Sequence, residues 1–274
     1  MTSALAQVAD WPVPSAAAAV VGRSGVLASC GPTEQAFPLA SVTKPLAALA
    51  ILVAVEEEAV RLDDPADETL IPGATLRHLL AHASGLAPEQ PMRLFPPATR
   101  RVYSNVGIEL AAALVERATD MPFAQYLAEA VVGPLDLHAT TLPGSPARDG
   151  RSSVADLARV AYELISPTGL LSTDTIAEAS RVQYPGLRGV LPGFGGQNPN
   201  DWGLGFEIRD HKSPHWTGAA NSSATYGHFG QSGSMLWIDP EARLGLVAVT
   251  DRDFGDWART AWPKLADAVV AVYA

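Results

Sequence analysis

Ser41-Val42-Thr43-Lys44-Pro45 runs straight into an unbroken apolar stretch, residues 46–55. A helix that is apolar on every side must be buried on every side, so the fold has to close around this one segment. The polar tetrad then stands at the mouth of a buried helix. Pro45 suits the first turn, where its missing N–H has no intrahelical partner to lose. Residues three apart share a helical face, so Lys44 Nζ can reach Ser41 Oγ and act as its base. The helix start also brings unpaired N–H groups and partial positive charge to Ser41, which suits a developing oxyanion. Serine and lysine are common, so the tetrad carries chemistry only if partners stand downstream.

With 274 residues, 47% hydrophobic and 18% charged, the chain can bury a large core, as one domain or two interleaved lobes. A net charge of -10 argues against nucleic acid or an anionic membrane surface as the main partner. Cys30 is the only cysteine, which excludes an internal disulfide; it reads as a small residue, buried or half-buried. Residues 1–13 hold no Lys or Arg and include Asp10, unlike the basic start and apolar core of a secretory leader. The apolar run at 46–55 is too short to span a bilayer. These features lead us to expect a cytoplasmic protein.

Turn signals divide the rest. Residues 16–21 and 25–28 flank Gly22-Arg23-Ser24-Gly25 as a hairpin. Helices are expected over 76–81, 106–118 and 123–132, and over 157–165 behind the capping box Ser153-Val154-Ala155-Asp156, with another starting near Asp174. Residues 184–201, with five Gly and three Pro, read as one long loop, with Phe194 and Trp202 as a wall over a pocket. Strands follow at 204–208, 235–238 and 244–250, the last two as a hairpin around Asp239-Pro240-Glu241-Ala242-Arg243. A terminal helix over 258–273 is expected to be interrupted at Pro263. This order predicts an α/β (α+β) fold: an antiparallel sheet with flanking helices from residues 1–60 and 200–274, and an inserted, mainly helical lobe from 61–199. The site belongs in the cleft between them.

Two further motifs complete a series. Tyr103-Ser104-Asn105 precedes the helix from 106, and His228-Phe229-Gly230 leads toward the strand at 235. The order Ser-x-x-Lys, Tyr-x-Asn, His-x-Gly is similar to that of the serine β-lactamase and penicillin-binding protein family, in its class C-like branch of esterases, D-aminopeptidases and DD-peptidases. Leu62-Asp63-Asp64-Pro65, the stretch from Thr75 to Leu86, Tyr103-Ser104-Asn105-Val106-Gly107, Gly227 to Ser234 and Trp237-Ile238-Asp239-Pro240-Glu241 resemble the family as well, so the likeness covers most of residues 16–255.

The resemblance implies roles. Ser41 attacks a carbonyl and carries the acyl group. Lys44 stays a cation that lowers the pKa of Ser41 and Tyr103, and Tyr103, partly phenolate, is the general base. Backbone N–H groups of Ser41 and Gln231 form the oxyanion hole, Asn105 binds the substrate's acyl amide, and His228 holds the tyrosine side and faces the substrate. Gly230 lets backbone and substrate approach closely. It implies no cofactor and no metal, and an ester, amide or lactam as the small-molecule partner, with no nucleic acid or membrane and an open oligomeric state. Each residue has a plainer reading too: Tyr103 as a core aromatic, Asn105 as a helix N-cap, His228 as an interior histidine. His78 and His82 have the i, i+4 spacing of a zinc pair, but no Glu stands at 79 and no third ligand follows, so structural use is expected.

His228 replaces the lysine usual in the third motif of true β-lactamases, and no Glu-x-x-Leu-Asn element is present. The reading is therefore a serine hydrolase acting on small esters or amides. The alternatives are a true β-lactamase or DD-carboxypeptidase, and a catalytically silent binding protein.

Overall fold

The computed structural model describes residues 4–274. β1 (Ala16–Gly22) and β2 (Gly25–Cys30) form the hairpin expected around 22–25. β3 (Phe37–Pro38) pairs with β4 (Arg151–Ser152), which pins the segment before Ser41 to a distant loop. Within 184–201, β5 (Gly189–Leu191) pairs with β6 (Gly195–Gln197). That region is thus not one long loop. Its glycine-rich strands carry no apolar alternation to read, and Gly193 and Gly195 take left-handed φ at 78° and 84° to turn the chain. β7 (Glu207–Ile208) is shorter than expected because Gly205 leaves extended backbone at φ 81°. β8 (Tyr226–Gly230), β9 (Ser234–Asp239) and β10 (Leu244–Thr250) follow.

The main sheet has six antiparallel strands in the order β2-β1-β10-β9-β8-β7. β1 beside β10 joins the two ends of the chain, with Ala18 opposite Ala248. Both faces are covered, which is why these strands read as unbroken apolar runs. Alternate residues divide between two cores: Ala17, Ala19 and Val21 face one, and Ala18 and Val20 face the other.

The first core is built on α1 (Thr43–Glu56), buried almost all round as its composition demands. Around it lie α2 (Leu76–Leu80), α3 (Asn105–Thr119) and α4 (Phe123–Leu127), the last continuing as a π-turn over Ala128–Val132. α5 (Val154–Ile165) starts at the Ser153 cap, whose hydroxyl accepts from Asp156 N at 3.1 Å. It packs on β1, β9 and β10, so this part of 61–199 lies on the sheet. α6 (Thr173–Ser180) completes the group.

The second core lies under α7 (Asp256–Tyr273) and an N-terminal 3-10 turn, Ala4–Asp10. α7 runs through Pro263 without interruption. A proline inside a helix costs roughly 3 kcal/mol, and the flanking burial of Trp262, Leu265, Ala266 and Val269 more than offsets it. Among the described residues, no helix is long and apolar enough to cross a membrane.

Candidate active site

Ser41 sits in a 3-10 turn, Ala40–Val42, that hands over directly to α1. Ala40 is held in the left-handed region at φ 43°, a strained conformation that survives only where neighbours impose it. Those neighbours are identifiable. Thr43 Oγ1 donates to Ala40 O at 2.7 Å and accepts from Gly150 N at 2.9 Å. Ser232 Oγ, in the turn between β8 and β9, donates to Pro38 O at 2.8 Å, and Ser234 Oγ, at the start of β9, donates to Leu39 O at 2.6 Å. Gly230 makes this contact possible, because a Cβ there would lie 2.2 Å from Leu39 O. The close approach that requires glycine is therefore to the backbone of Leu39, two residues before Ser41.

Lys44 is wholly buried, and its Nζ has three oxygen partners: Asn105 Oδ1 at 2.7 Å, Ala147 O at 2.8 Å and Ser41 Oγ at 3.3 Å. Tyr103 Oη donates to Ser41 Oγ at 2.7 Å, and its ring centroid lies 4.6 Å from Lys44 Nζ. Burial pulls the Lys44 ammonium down to about 7; Glu89 and Glu109 push it back up and Arg148 pulls it further down. Burial likewise pushes the Tyr103 phenol well above its ordinary value, with the Ser41 hydrogen bond only partly opposing it. Both shifts run against the fixed lysine cation and partial phenolate that the resemblance implies. Low polarity penalises both charges, and the lysine has the easier neutral form near pH 7.

Asn105 is the first residue of α3, and the cap is Ser104, whose Oγ accepts from Gly107 N at 3.0 Å. Both ends of the Asn105 amide are occupied, since Nδ2 donates to Glu89 Oε1 at 2.6 Å. Arg148 in turn bonds Glu89 Oε2 at 2.9 Å. The side chain for which the resemblance implies substrate binding is thus bonded at both ends, to Lys44 and to Glu89.

A cavity of about 200 Å³ opens on Ser41, Tyr103 and Gln231, with Leu191, Pro192 and Trp202 on one side and Glu207, His228 and Phe229 on the other. Trp202 forms the wall expected of it, whereas Phe194 packs into the second core. His228 stands on β8 with Nδ1 donating to Phe229 O at 2.7 Å, which leaves Nε2 a bare, buried acceptor. Burial, reinforced by Lys44, drives its pKa down to about 3. Its imidazole is therefore neutral near pH 7 in this enclosure. Behind it, Glu207 is buried on Lys212 Nζ, His215 Nε2 at 2.9 Å and Trp216 Nε1 at 3.0 Å. Burial would raise its pKa, but His215 and Lys212 outweigh that and hold it ionised.

Residues 6–271 match the Beta-lactamase family. The chain belongs to the beta-lactamase family. A beta-lactamase from Mycobacterium bovis is 55% identical, each chain covered to 99%, with a TM-score of 0.96. EstCE1, described as a hydrolase with promiscuous acyltransferase activity, shares the fold at a TM-score of 0.80 and 18% identity, over 96% of this chain and 95% of that one. Penicillin-binding protein 4* of Bacillus subtilis is 28% identical over 39% of this chain. That match spans 31% of its length, so the two are comparable only in part.

In this member of the family, the structure brings together Ser41, Lys44, Tyr103, His228 and Gln231, with Asn105 and Gly230 in support. Sequence reasoning missed Glu89, the Ala147 carbonyl and Glu207, which belong to no short motif, and the part played by the Ser232 and Ser234 hydroxyls, although both lie within the stretch from Gly227 to Ser234. His78 and His82 serve locally: His78 Nδ1 accepts from Thr75 N at 3.1 Å, and His82 Nδ1 from Ser104 N at 3.2 Å. The His82 ring packs 4.7 Å from Tyr103 and 4.6 Å from Trp202. Cys30 is half-buried, as expected.

Proposed function

We propose that this family member is a serine hydrolase that passes through an acyl-enzyme on Ser41 and acts on small, uncharged esters or amides. The observation that carries this is the set of partners around Lys44. A neutral amine has two N–H donors and one lone pair. Asn105 Oδ1 and Ala147 O only accept, so they take the two N–H groups, and the lone pair is left facing the Ser41 hydroxyl.

The first step follows from that count. The Ser41 O–H proton passes to Lys44 Nζ as Oγ bonds to the substrate carbonyl carbon. The carbonyl oxygen becomes an oxyanion, received by the backbone N–H groups of Ser41 and Gln231. Lys44 then returns the proton to the leaving oxygen or nitrogen as its bond to carbon breaks. Water repeats the sequence on the acyl-enzyme and restores Ser41. Tyr103 keeps its proton throughout and donates to Oγ, which stabilises charge on that atom when it attacks and when it departs.

Uncharged substrates are favoured because the cavity offers no free cation among the described residues. His228 is neutral, and Glu207, the one ionised lining group, is already paired with Lys212. A carboxylate would be desolvated here without compensation. Hydrolysis of p-nitrophenyl acetate, a D-amino-acid amide and a chromogenic cephalosporin tests the reading. Turnover should be fastest on the acetate and indifferent to EDTA. A preference for the carboxylate-bearing cephalosporin would instead support the β-lactamase alternative, and a folded protein inactive on all three the binding alternative.

A further inference from the structure

The reactive cavity has a neighbour. A groove of about 390 Å³ lies on the other side of Tyr103 and Pro192, and both residues line both spaces. Its walls come from the segment between α2 and α3 (Pro88, Leu94, Phe95) and from β5, while Val102 lies at its base. Strand alternation divides β5 between the two spaces: Leu191 is buried against the reactive cavity, and Val190 points into the groove. Arg100 closes one end, its guanidinium 5.3 Å from the centroid of the Phe95 ring.

Two of the apolar groups here are left open to solvent. Val190 is 52% exposed and Leu94 44%, and both rank among the few large hydrophobic side chains that the fold leaves open. Leu94 is not on a floppy tip, since its N–H donates to Gly85 O at 2.8 Å. Val190 is likewise on a paired strand, opposite Gly196. A firm, apolar trough that adjoins the cavity of Ser41, divided from it by Tyr103 and Pro192, has the form of a binding subsite.

We infer that this groove holds the apolar tail of the substrate: a medium-length alkyl or aryl chain whose ester carbonyl lies at Ser41. The inference rests on the serine hydrolase reading and adds the substrate class, uncharged esters with one hydrophobic arm. The arm can be carried on the acyl or on the alcohol side, and the two are chemically alike in what the groove reads. Each methylene removed from water contributes about two- to fourfold in binding.

Two substrate series test this on the intact protein. One lengthens the acyl chain of p-nitrophenyl esters from acetate to octanoate, and the other lengthens the alcohol of alkyl acetates from ethyl to octyl. The expected result is a rise in kcat/KM of more than about tenfold along one series, which also identifies the side that enters the groove. Val190→Asp and Leu94→Asp, one from each wall and both at exposed positions, should each cut the long-to-short ratio by about tenfold or more. Because the ratio is internal to each variant, partial loss of folded protein does not alter it. Acetate turnover with no chain-length gain in either series, or a gain that survives both aspartates, overturns the subsite and leaves the Ser41 reading standing. Absence of turnover on every ester overturns both.

Discussion

Asn105 turns its amide oxygen, not its nitrogen, toward Lys44: Oδ1 lies 2.7 Å from Nζ while Nδ2 is fixed on Glu89. An acceptor in that place steadies the amine without adding a full charge. With no carboxylate in contact, burial is the dominant influence and holds Lys44 at about 7, low enough to be half deprotonated under ordinary conditions. The rate should rise with pH along a single acidic limb centred near 7, because the protonated form lacks the lone pair that receives the serine proton.

Asn105→Asp tests that origin. It places a carboxylate where the amide oxygen now stands, and an opposite charge this close raises an amine's pKa by roughly one to three units. The acidic limb of kcat/KM should move to higher pH by about that amount. A limb that stays near 7 would mean that some other group titrates.

Tyr103 and Lys44 separate on the same measurement. Tyr103→Phe preserves the ring against His82 and Trp202 and removes only the donor to Oγ. Its kcat should fall by about one to two orders of magnitude, as for loss of one transition-state hydrogen bond, with the limb still near 7. Lys44→Met should lose about four orders of magnitude, with the limb gone. Loss of the limb in Tyr103→Phe would return the base to the tyrosine, as its motif first suggested.

Much of the fold was legible because it follows from burial. The run at 46–55 had to be a core helix, and β10 and the β9–β10 turn declared themselves through apolar runs around Asp239-Pro240. Pro263 and the 184–201 segment misled for one reason. Local preferences were read without the packing that overrides them, the Trp262 face in α7 and the glycine turns in the β5–β6 hairpin. At the site, the residues that the motifs name lie together, but their protonation states were not legible. Whether Lys44, Tyr103 and His228 carry charge depends on how deeply each is enclosed, and chain spacing says nothing about that. Ala147 reaches Lys44, and Glu89 reaches Asn105, from positions that leave no motif behind.

His228 gives a test in stability rather than rate. Its folded pKa, about 3, lies below the ordinary 6.5, so the unfolded chain takes up a proton first as the pH falls. Stability present above 6.5 is therefore lost progressively toward pH 3, by about 1.4 kcal/mol per pH unit for one such group. Between pH 7.5 and 5 the unfolding free energy from urea titration should drop by about 2 kcal/mol more in the parent than in His228→Asn. An equal drop in both would place His228 in a wetter setting, with charge available to substrates.

The most direct measurement is the site of acylation itself. A fluorophosphonate probe, followed by peptide mass spectrometry, should add its mass to the peptide that contains Ser41 and to no other. Labelling should vanish in Ser41→Ala and slow sharply below pH 7, as Lys44 takes up its proton. Labelling that persists unchanged in Ser41→Ala, or that falls on another serine, contradicts the assignment of Ser41 as the nucleophile.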